Sequence, residues 1–309
     1  MNLQNIISEI EKTDPEIYDR MDTRRKAMRK FATFSSKVAL ASLPLAVGSM
    51  FKTAYGQTVP AGVIAVLNFA LKLEYLEAEF YNRIAGGGPS AFPTSAGFAT
   101  ASAGDQTALR KIRDDENAHV TFLRGALGGA QIAKPNIDLT GGGSAAGTGP
   151  FAGFLGSYAV QLAMAQTFED TGVRAYKGGA PDLQPSRGFL TAALQIHSVE
   201  ARHAAKIRLM RRTAGGPTIP AGQTVKPWIT LSESGITTGV AGTDAAIQRS
   251  YNAGANATIS PSEANTTQAG VNIVGIGGNT FIDSRAASAS FDEPLTAADV
   301  NSIVAGFFY

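Results

Sequence analysis

The sequence predicts an all-α core, a four-helix bundle, followed by a long C-terminal extension that is mostly irregular or β-containing. Two observations support this. Apolar residues recur with helical periodicity in four segments, each ended by glycine, and the composition changes at Gly215. Apolar residues make up 44% of the 309 residues and charged residues 17%, which is typical of a chain that buries a sizeable core.

The four helical segments are residues 60–84, 105–127, 151–176 and 185–212. Asp105 is the predicted N-cap of the second segment, and glycine pairs follow the second and third. Short links within each helix pair and a longer glycine-rich crossover between the pairs favour one bundle over residues 57–214.

The N-terminal region, residues 1–56, is interpreted as a twin-arginine-like export signal. Arg24 and Arg25 open a basic cluster, and an apolar run over residues 38–51 follows, too short to span a bilayer. Ala54 and Gly56 place small residues before a cleavage site at Gln57. We therefore expect a protein exported to the periplasm or cell envelope that meets the membrane only through this signal. A retained, membrane-associated amphipathic segment is the alternative.

Charge and cysteine content exclude several classes of function. Beyond residue 56 the chain holds 18 Lys and Arg against 19 Asp and Glu, so no basic surface for nucleic acid is predicted. The absence of cysteine excludes disulfides, thiolate zinc sites, iron–sulfur clusters and cysteine nucleophiles.

The extension, residues 215–309, is poor in charge and rich in Gly, Thr, Ser and Asn. Short β-rich runs lie at residues 228–231 and 271–274, and Thr296 with Asp299 resembles a capping box before a short terminal helix. Two interpretations stay open: the extension wraps the bundle, or it is an arm that forms a homo-oligomer.

Ionisable side chains interrupt the apolar faces of the four helices in a repeated order. The second and fourth helices each carry Glu-x-x-His, a spacing that places both side chains on one face, and the first and third each carry one Glu. Buried carboxylates and imidazoles are costly unless they are paired or bind cations. We therefore predict two divalent metal ions, iron or manganese, bound by Glu74, Glu116, His119, Glu169, Glu200 and His203. A buried network of ion pairs and hydrogen bonds without metal is the alternative.

This motif order resembles that of the ferritin-like superfamily. The stretch LNFALKLEYLEAEFY at residues 67–81 and the closing FDEPL at residues 291–295 are similar to an exported bacterial family of ferritin-like, desiccation-related proteins. The resemblance implies a carboxylate-bridged di-iron or di-manganese site. Glu74 and Glu169 would be single-carboxylate ligands, and the two histidines terminal ligands. The bridging ligands would be Glu116 and Glu200.

The function expected from this site is redox chemistry on O₂, peroxide or Fe(II), in protection against oxidative or desiccation stress. The sequence leaves open whether the protein is a ferroxidase, a peroxidase or catalase-like, and it identifies no catalytic residue. The alternative is a non-catalytic metal-binding or structural envelope protein, with the bundle as scaffold and the extension used for assembly. A closed iron-storage cage is disfavoured because the long extension would crowd the shell.

Other polar residues near these motifs are predicted to have roles other than metal ligation. Glu77 is expected at a solvated helix edge, with an extra ligand as the alternative, and Asp170 is expected on the surface. Asp115 is expected to be solvated, with a contact that supports a ligand as the alternative. His197 is expected at the edge of the core or beside a ligand. Tyr81 and Tyr176, each seven residues after a predicted ligand, fit either packing or a hydrogen-bonding or redox role.

Overall fold

A computed structural model describes residues 59–309. The predicted export region at residues 1–56 and its cleavage site at Gln57 lie outside these residues. The helices are α1 (Ala61–Ala85), α2 (Ala96–Ala99), α3 (Ala103–Leu127), α4 (Tyr158–Gly179), α5 (Arg187–Ala214), α6 (Ala241–Gln248), α7 (Ser284–Ser288) and α8 (Ala297–Val304). None of the helices within residues 59–309 combines the length and the apolar character needed to cross a membrane.

The four long helices, α1, α3, α4 and α5, form the predicted bundle. Helix α1 packs mainly on α3, and α4 packs mainly on α5, so each half of the bundle is one consecutive pair of long helices. The apolar stripes of the sequence face inward: Leu71, Leu109, Leu162 and Ile207 are all almost completely buried. The all-α fold class is thereby confirmed.

All four long helices begin at other residues than the sequence predicted, and the N-terminal residues of α3 and α4 explain the difference there. The N-cap of α3 is Ser102, not Asp105, because the Ser102 hydroxyl accepts a hydrogen bond from the Asp105 N–H at 3.1 Å. Helix α4 begins at Tyr158, seven residues later than predicted, because Gly153 adopts a left-handed conformation with φ of 81°. Its N-cap is Ser157.

The extension is largely irregular, as predicted, and holds little β structure among the described residues. Strands β1 (Thr267–Gln268) and β2 (Val271–Asn272) pair antiparallel across a two-residue turn in which both residues have positive φ. The β-rich run at residues 228–231 forms no strand, and Thr230 makes only an isolated bridge to Glu233. Thr296 is confirmed as the N-cap of α8, since its hydroxyl accepts from the Asp299 N–H at 3.2 Å. The predicted capping box is not closed, because the Thr296 N–H donates to the Ser260 hydroxyl at 3.0 Å and not to Asp299.

The extension folds back on α4 of its own chain, which matches the first of the two interpretations. Arg174 of α4 is completely buried and donates hydrogen bonds to the backbone carbonyls of Ser250, Asn252 and Glu293. The same guanidinium lies 2.9 Å from the buried carboxylate of Glu263. One side chain of the bundle therefore satisfies polar groups from widely separated parts of the extension.

The FDEPL segment contacts α4 closely at Gly178. The Leu295 N–H donates to the Arg174 carbonyl at 3.1 Å, and a Cβ placed on Gly178 would lie 1.9 Å from the Leu295 carbonyl oxygen. We expect Gly178→Ala to lower the free energy of unfolding by about 2 kcal/mol, because backbone must shift to relieve the overlap. Urea unfolding followed by circular dichroism measures this.

Gly125 provides the matched control for this substitution. It is also a helical glycine, in α3, but no atom lies within 4 Å of a Cβ placed on it. Gly125→Ala should therefore stabilise the protein by about 0.5–1 kcal/mol, the usual gain from removing a helical glycine. Equal effects of the two substitutions would contradict the close packing of the FDEPL segment.

Candidate metal centre

All six residues predicted as ligands lie together in the interior of the bundle, each long helix contributing at least one. Glu74, Glu116, Glu169 and Glu200 have 0% relative exposure, and His119 and His203 are 9% and 6% exposed. The helical spacing produces this placement because residues three or four positions apart share a helix face.

Their potential ligand atoms form two overlapping groups. The first consists of Glu74, Glu116, His119 and Glu200, and the second of Glu116, Glu169, Glu200 and His203. Within each group, one ligand atom from each residue lies within 4.8 Å of the others. Glu116 and Glu200 belong to both groups, so each is positioned to contribute to two adjacent sites.

Both imidazoles present Nδ1 to the carboxylates. His119 Nδ1 lies 3.2 Å from Glu74 Oε2 and 3.1 Å from Glu116 Oε2. His203 Nδ1 lies 2.8 Å from Glu116 Oε1 and 3.3 Å from Glu169 Oε2. The other ring nitrogen of His203, Nε2, faces Asp115 at 3.3 Å. That contact orients the ring with Nδ1 toward the interior.

Two tyrosines connect the halves of the bundle through the same carboxylates. The hydroxyl of Tyr81 in α1 donates to Glu169 in α4, and the hydroxyl of Tyr176 in α4 donates to Glu74 in α1. Burial, followed by the charge of the nearby carboxylate, raises the pKa of each tyrosine well above its usual value. Both phenols therefore stay protonated and act as donors that fix the orientation of the two carboxylates.

The electrostatics of the cluster without cations are unfavourable for the carboxylates. Burial raises the pKa of Glu116 to about 7, although its close contacts with both histidines oppose the shift. Burial, reinforced by the charge of Glu116, raises the pKa of Glu200 well above its usual value. Burial also acts to raise the pKa of Glu74. The charge of His119 and the hydrogen bonds that Glu74 forms with His119 and Tyr176 outweigh burial and lower that pKa. The cluster therefore attracts protons or cations.

Several buried ligand atoms have no hydrogen-bond partner. They are Glu116 Oε1, Glu169 Oε2, both carboxylate oxygens of Glu200, and His203 Nδ1. Some lie within 3.3 Å of each other, as His203 Nδ1 does with Glu169 Oε2, but without hydrogen-bonding geometry. Buried polar atoms are normally satisfied, so atoms gathered around a common centre without partners fit cation ligation better than a closed hydrogen-bonded network.

Residues 62–213 match the family model of the ferritin-like domain. This part of the chain is a ferritin-like domain. No curated protein and no solved structure matches it. The matched segment contains all four long helices except Ala61 at the start of α1 and Ala214 at the end of α5. It also contains every member of both ligand groups.

The donor set of this ferritin-like domain fits the dimetal-carboxylate chemistry of its superfamily. Carboxylate and imidazole ligands without thiolates suit iron or manganese. The ions would be held by the two groups defined above, and Glu116 and Glu200 are the carboxylates placed to contact both. The assignment of each of the six residues as a ligand stays a prediction.

Glu77 corrects one expectation for the ferritin-like domain, because it is buried and not at a solvated helix edge. Its relative exposure is 4%. A Cβ placed on Gly172 of α4 would lie 3.2 Å from Glu77 Oε1 and 3.5 Å from Glu200 Oε2, so these carboxylates lie side by side. Burial, followed by the charges of Glu200 and Glu116, raises the pKa of Glu77 well above its usual value.

The sequence did contain a signal for the position of Glu77. The two halves repeat the same order, and the residue three positions after Glu74 is Glu77, whereas the residue three positions after Glu169 is Gly172. The glycine leaves room for the extra carboxylate. The centre of the ferritin-like domain is therefore asymmetric, with a fifth carboxylate on one side.

Asp170 differs from its prediction, and Asp115 matches the alternative given for it, a contact that supports a ligand. Asp170 is 2% exposed and not on the surface, because it accepts hydrogen bonds from the Arg208 guanidinium and, at 2.6 Å, from the Tyr251 hydroxyl of the extension. Asp115 is partly buried and contacts His203. His197 is half-buried, as predicted for the edge of the core, and belongs to neither ligand group.

Proposed function

We propose that the ferritin-like domain binds two ions of iron or manganese and that the protein is a redox protein that oxidises Fe(II) or disposes of peroxide. The observation that supports this most directly is the overlap of the two ligand groups at Glu116 and Glu200. Two shared carboxylates would hold two ions close enough to act on one small molecule such as O₂ or hydrogen peroxide.

The electron balance of either reaction needs two one-electron donors. Two Fe(II) ions each give up one electron, and O₂ takes both with two protons to form hydrogen peroxide. In peroxide disposal, one hydrogen peroxide takes two electrons and two protons and yields two water molecules, and a second hydrogen peroxide returns the two electrons and two protons as it is oxidised to O₂. A pair of iron or manganese ions supplies this two-electron capacity when bound.

The protein's own residues orient and shield the site. Tyr81 and Tyr176 hold Glu169 and Glu74 by hydrogen bonds across the bundle, and Asp115 holds the ring of His203. The four carboxylate side chains are inaccessible to bulk water, which strengthens their interaction with cations. Burial also limits side reactions of reduced oxygen.

The cellular role that we propose is protection against oxidative or desiccation stress in the periplasm or cell envelope. It is supported by the twin-arginine-like pattern at Arg24 and Arg25 and by the resemblance of residues 67–81 to exported ferritin-like, desiccation-related proteins. Cofactor-loaded proteins are the usual cargo of twin-arginine export, which suits a dimetal protein. Protein purified from its own host should therefore begin at Gln57.

The test of the proposed function is metal content followed by turnover. We expect mature protein to hold about two iron or manganese ions per chain by plasma mass spectrometry. The loaded protein should then consume many equivalents of Fe(II) with O₂, or of hydrogen peroxide, per chain. Two bound ions without turnover would contradict the redox proposal and favour the scaffold alternative. A folded protein without metal would contradict both the ligand assignment and the redox proposal.

A further inference from the structure

An apolar cavity lies in the bundle directly beside the candidate metal centre. Three alanines from different helices, Ala70, Ala175 and Ala193, contribute to its wall, and their short side chains leave the space open. Half-buried residues at its rim, among them Val66 and Phe122, place its mouth near the protein surface.

The inner end of the cavity is one helical turn from the first ligand group. Ala70 lies four residues before Glu74, Ile196 lies four before Glu200, and Leu123 lies four after His119. Residues four apart share a helix face and are separated by about 6 Å along the axis. The cavity is therefore the adjoining layer of the bundle interior.

Tyr176 lies between the cavity and the ligands. It contributes to the cavity wall, and its hydroxyl donates to Glu74. In the opposite direction along the helices, Phe80, Ile112 and Ile207 belong to a continuous buried core. The layer of the bundle on one side of the centre thus contains a small apolar space, whereas the layer on the other side is closely packed.

The size and lining of the cavity restrict its occupant. Its volume is about 20 Å³, and a single water molecule needs roughly 10–15 Å³ on the same measure. An acyl chain, a peptide or an organic cofactor is therefore too large. Buried water needs two to four polar partners, whereas the only polar side chain in the lining, Tyr176, donates its hydroxyl to Glu74. An apolar diatomic molecule fits both restrictions.

We propose that this cavity is a binding site for dioxygen and its route to the His119 side of the metal centre. The route excludes Fe(II) and disfavours hydrogen peroxide, because neither finds polar partners along it. The role of the cavity in the reaction rests on the proposed function, but the binding of an apolar gas does not.

Xenon binding to the metal-free protein tests the cavity independently of any activity. Xenon occupies small apolar cavities, and a crystal under xenon pressure, or ¹²⁹Xe chemical shifts in solution, reports it. We expect xenon in the parent protein and in Ala192→Leu, and none in Ala193→Leu. Ala192 is the matched control because it neighbours Ala193 on α5 but does not contribute to the cavity wall. Leu67→Ala enlarges the cavity and should strengthen xenon binding.

Oxygen kinetics then test the route. In the metal-loaded protein, Ala193→Leu should raise the apparent KM for O₂ at least five-fold. Fe(II) binding and the rate with hydrogen peroxide as oxidant should stay unchanged. Absence of xenon from the parent, or an equal slowing with both oxidants, would overturn the inference. Failure of the proposed function is distinguishable, because the parent would then turn over neither oxidant.

Discussion

Glu116→Ala will bind neither metal ion, whereas His119→Ala will retain one. Glu116 belongs to both ligand groups, and His119 belongs only to the first. Loss of a shared carboxylate would leave each ion with three protein ligands. It would also remove a negative charge that offsets the repulsion between the two cations. Loss of a terminal imidazole leaves the second group of Glu116, Glu169, Glu200 and His203 intact.

The measurement is the number of ions per chain after anaerobic loading with Fe(II) or Mn(II) and removal of excess metal. We expect about two for the parent, fewer than about 0.2 for Glu116→Ala and about one for His119→Ala. Glu79→Ala is the control, because Glu79 is a glutamate of the same bundle, on α1, but pairs with Arg83 and Lys134 at the bundle surface and belongs to neither group.

A parent-like content of two ions in Glu116→Ala would contradict the bridging assignment. Unfolding of the metal-free variant separates loss of ligation from loss of fold. Removal of one of several neighbouring buried carboxylates relieves repulsion, so this variant should remain folded.

The helices and the six proposed ligands were accessible from the sequence because both follow from spacing. Apolar residues at helical intervals identify a buried face, and ionisable residues on the same face must lie in the interior together. The Glu-x-x-His motifs of α3 and α5 could be assigned to the bundle interior without knowing the conformation of the loops.

The burial of Asp170 was missed because another part of the chain covers that face of α4. A helical pattern distinguishes the face toward the bundle, but α4 is buried on other faces as well, because the extension packs on it. Asp170 and Arg174 are therefore buried although they lie off the apolar stripe of the sequence. The extension has no periodicity, so the contacts that its residues Ser250 and Tyr251 make with α4 could not be predicted.

The metal-free protein will lose stability as the pH rises from about 5 to 8. Glu116 has a pKa of about 7 in the folded protein, raised by burial above the 4.5 of an ordinary glutamate. Its stabilising contribution is complete below pH 4.5, where the folded and unfolded states are both protonated. The contribution is lost as the pH rises through 7, because the folded state holds its proton longer than the unfolded state.

The two histidines act with the same sign. Burial alone would lower the pKa of His119 and of His203, but the charge of Glu74 on the first and of Glu169 on the second outweighs burial and raises both above 6.5. The folded protein therefore keeps protons that unfolded histidines release above pH 6.5. Glu74 has the opposite sign, but its lowered pKa acts below pH 4.5, outside this interval.

The expected loss is about 3 kcal/mol from Glu116 alone, equivalent to a fall in Tm of about 5–10 °C. Thermal unfolding in the presence of a chelator, at intervals from pH 5 to pH 8, measures it. Glu116→Gln is the control variant, because the amide does not titrate, and its metal-free form should show a shallower fall in Tm with pH.

Bound metal reverses this dependence. Carboxylates and imidazoles bind a cation only when deprotonated, so two equivalents of Mn(II) should stabilise the protein more at pH 8 than at pH 5. If the hydrogen-bonded network were the functional state, added metal would leave the slope of Tm against pH unchanged. If the slope of Tm against pH changes sign on metal addition, cations replace protons at the same carboxylates. That replacement is what a dimetal centre in this bundle predicts.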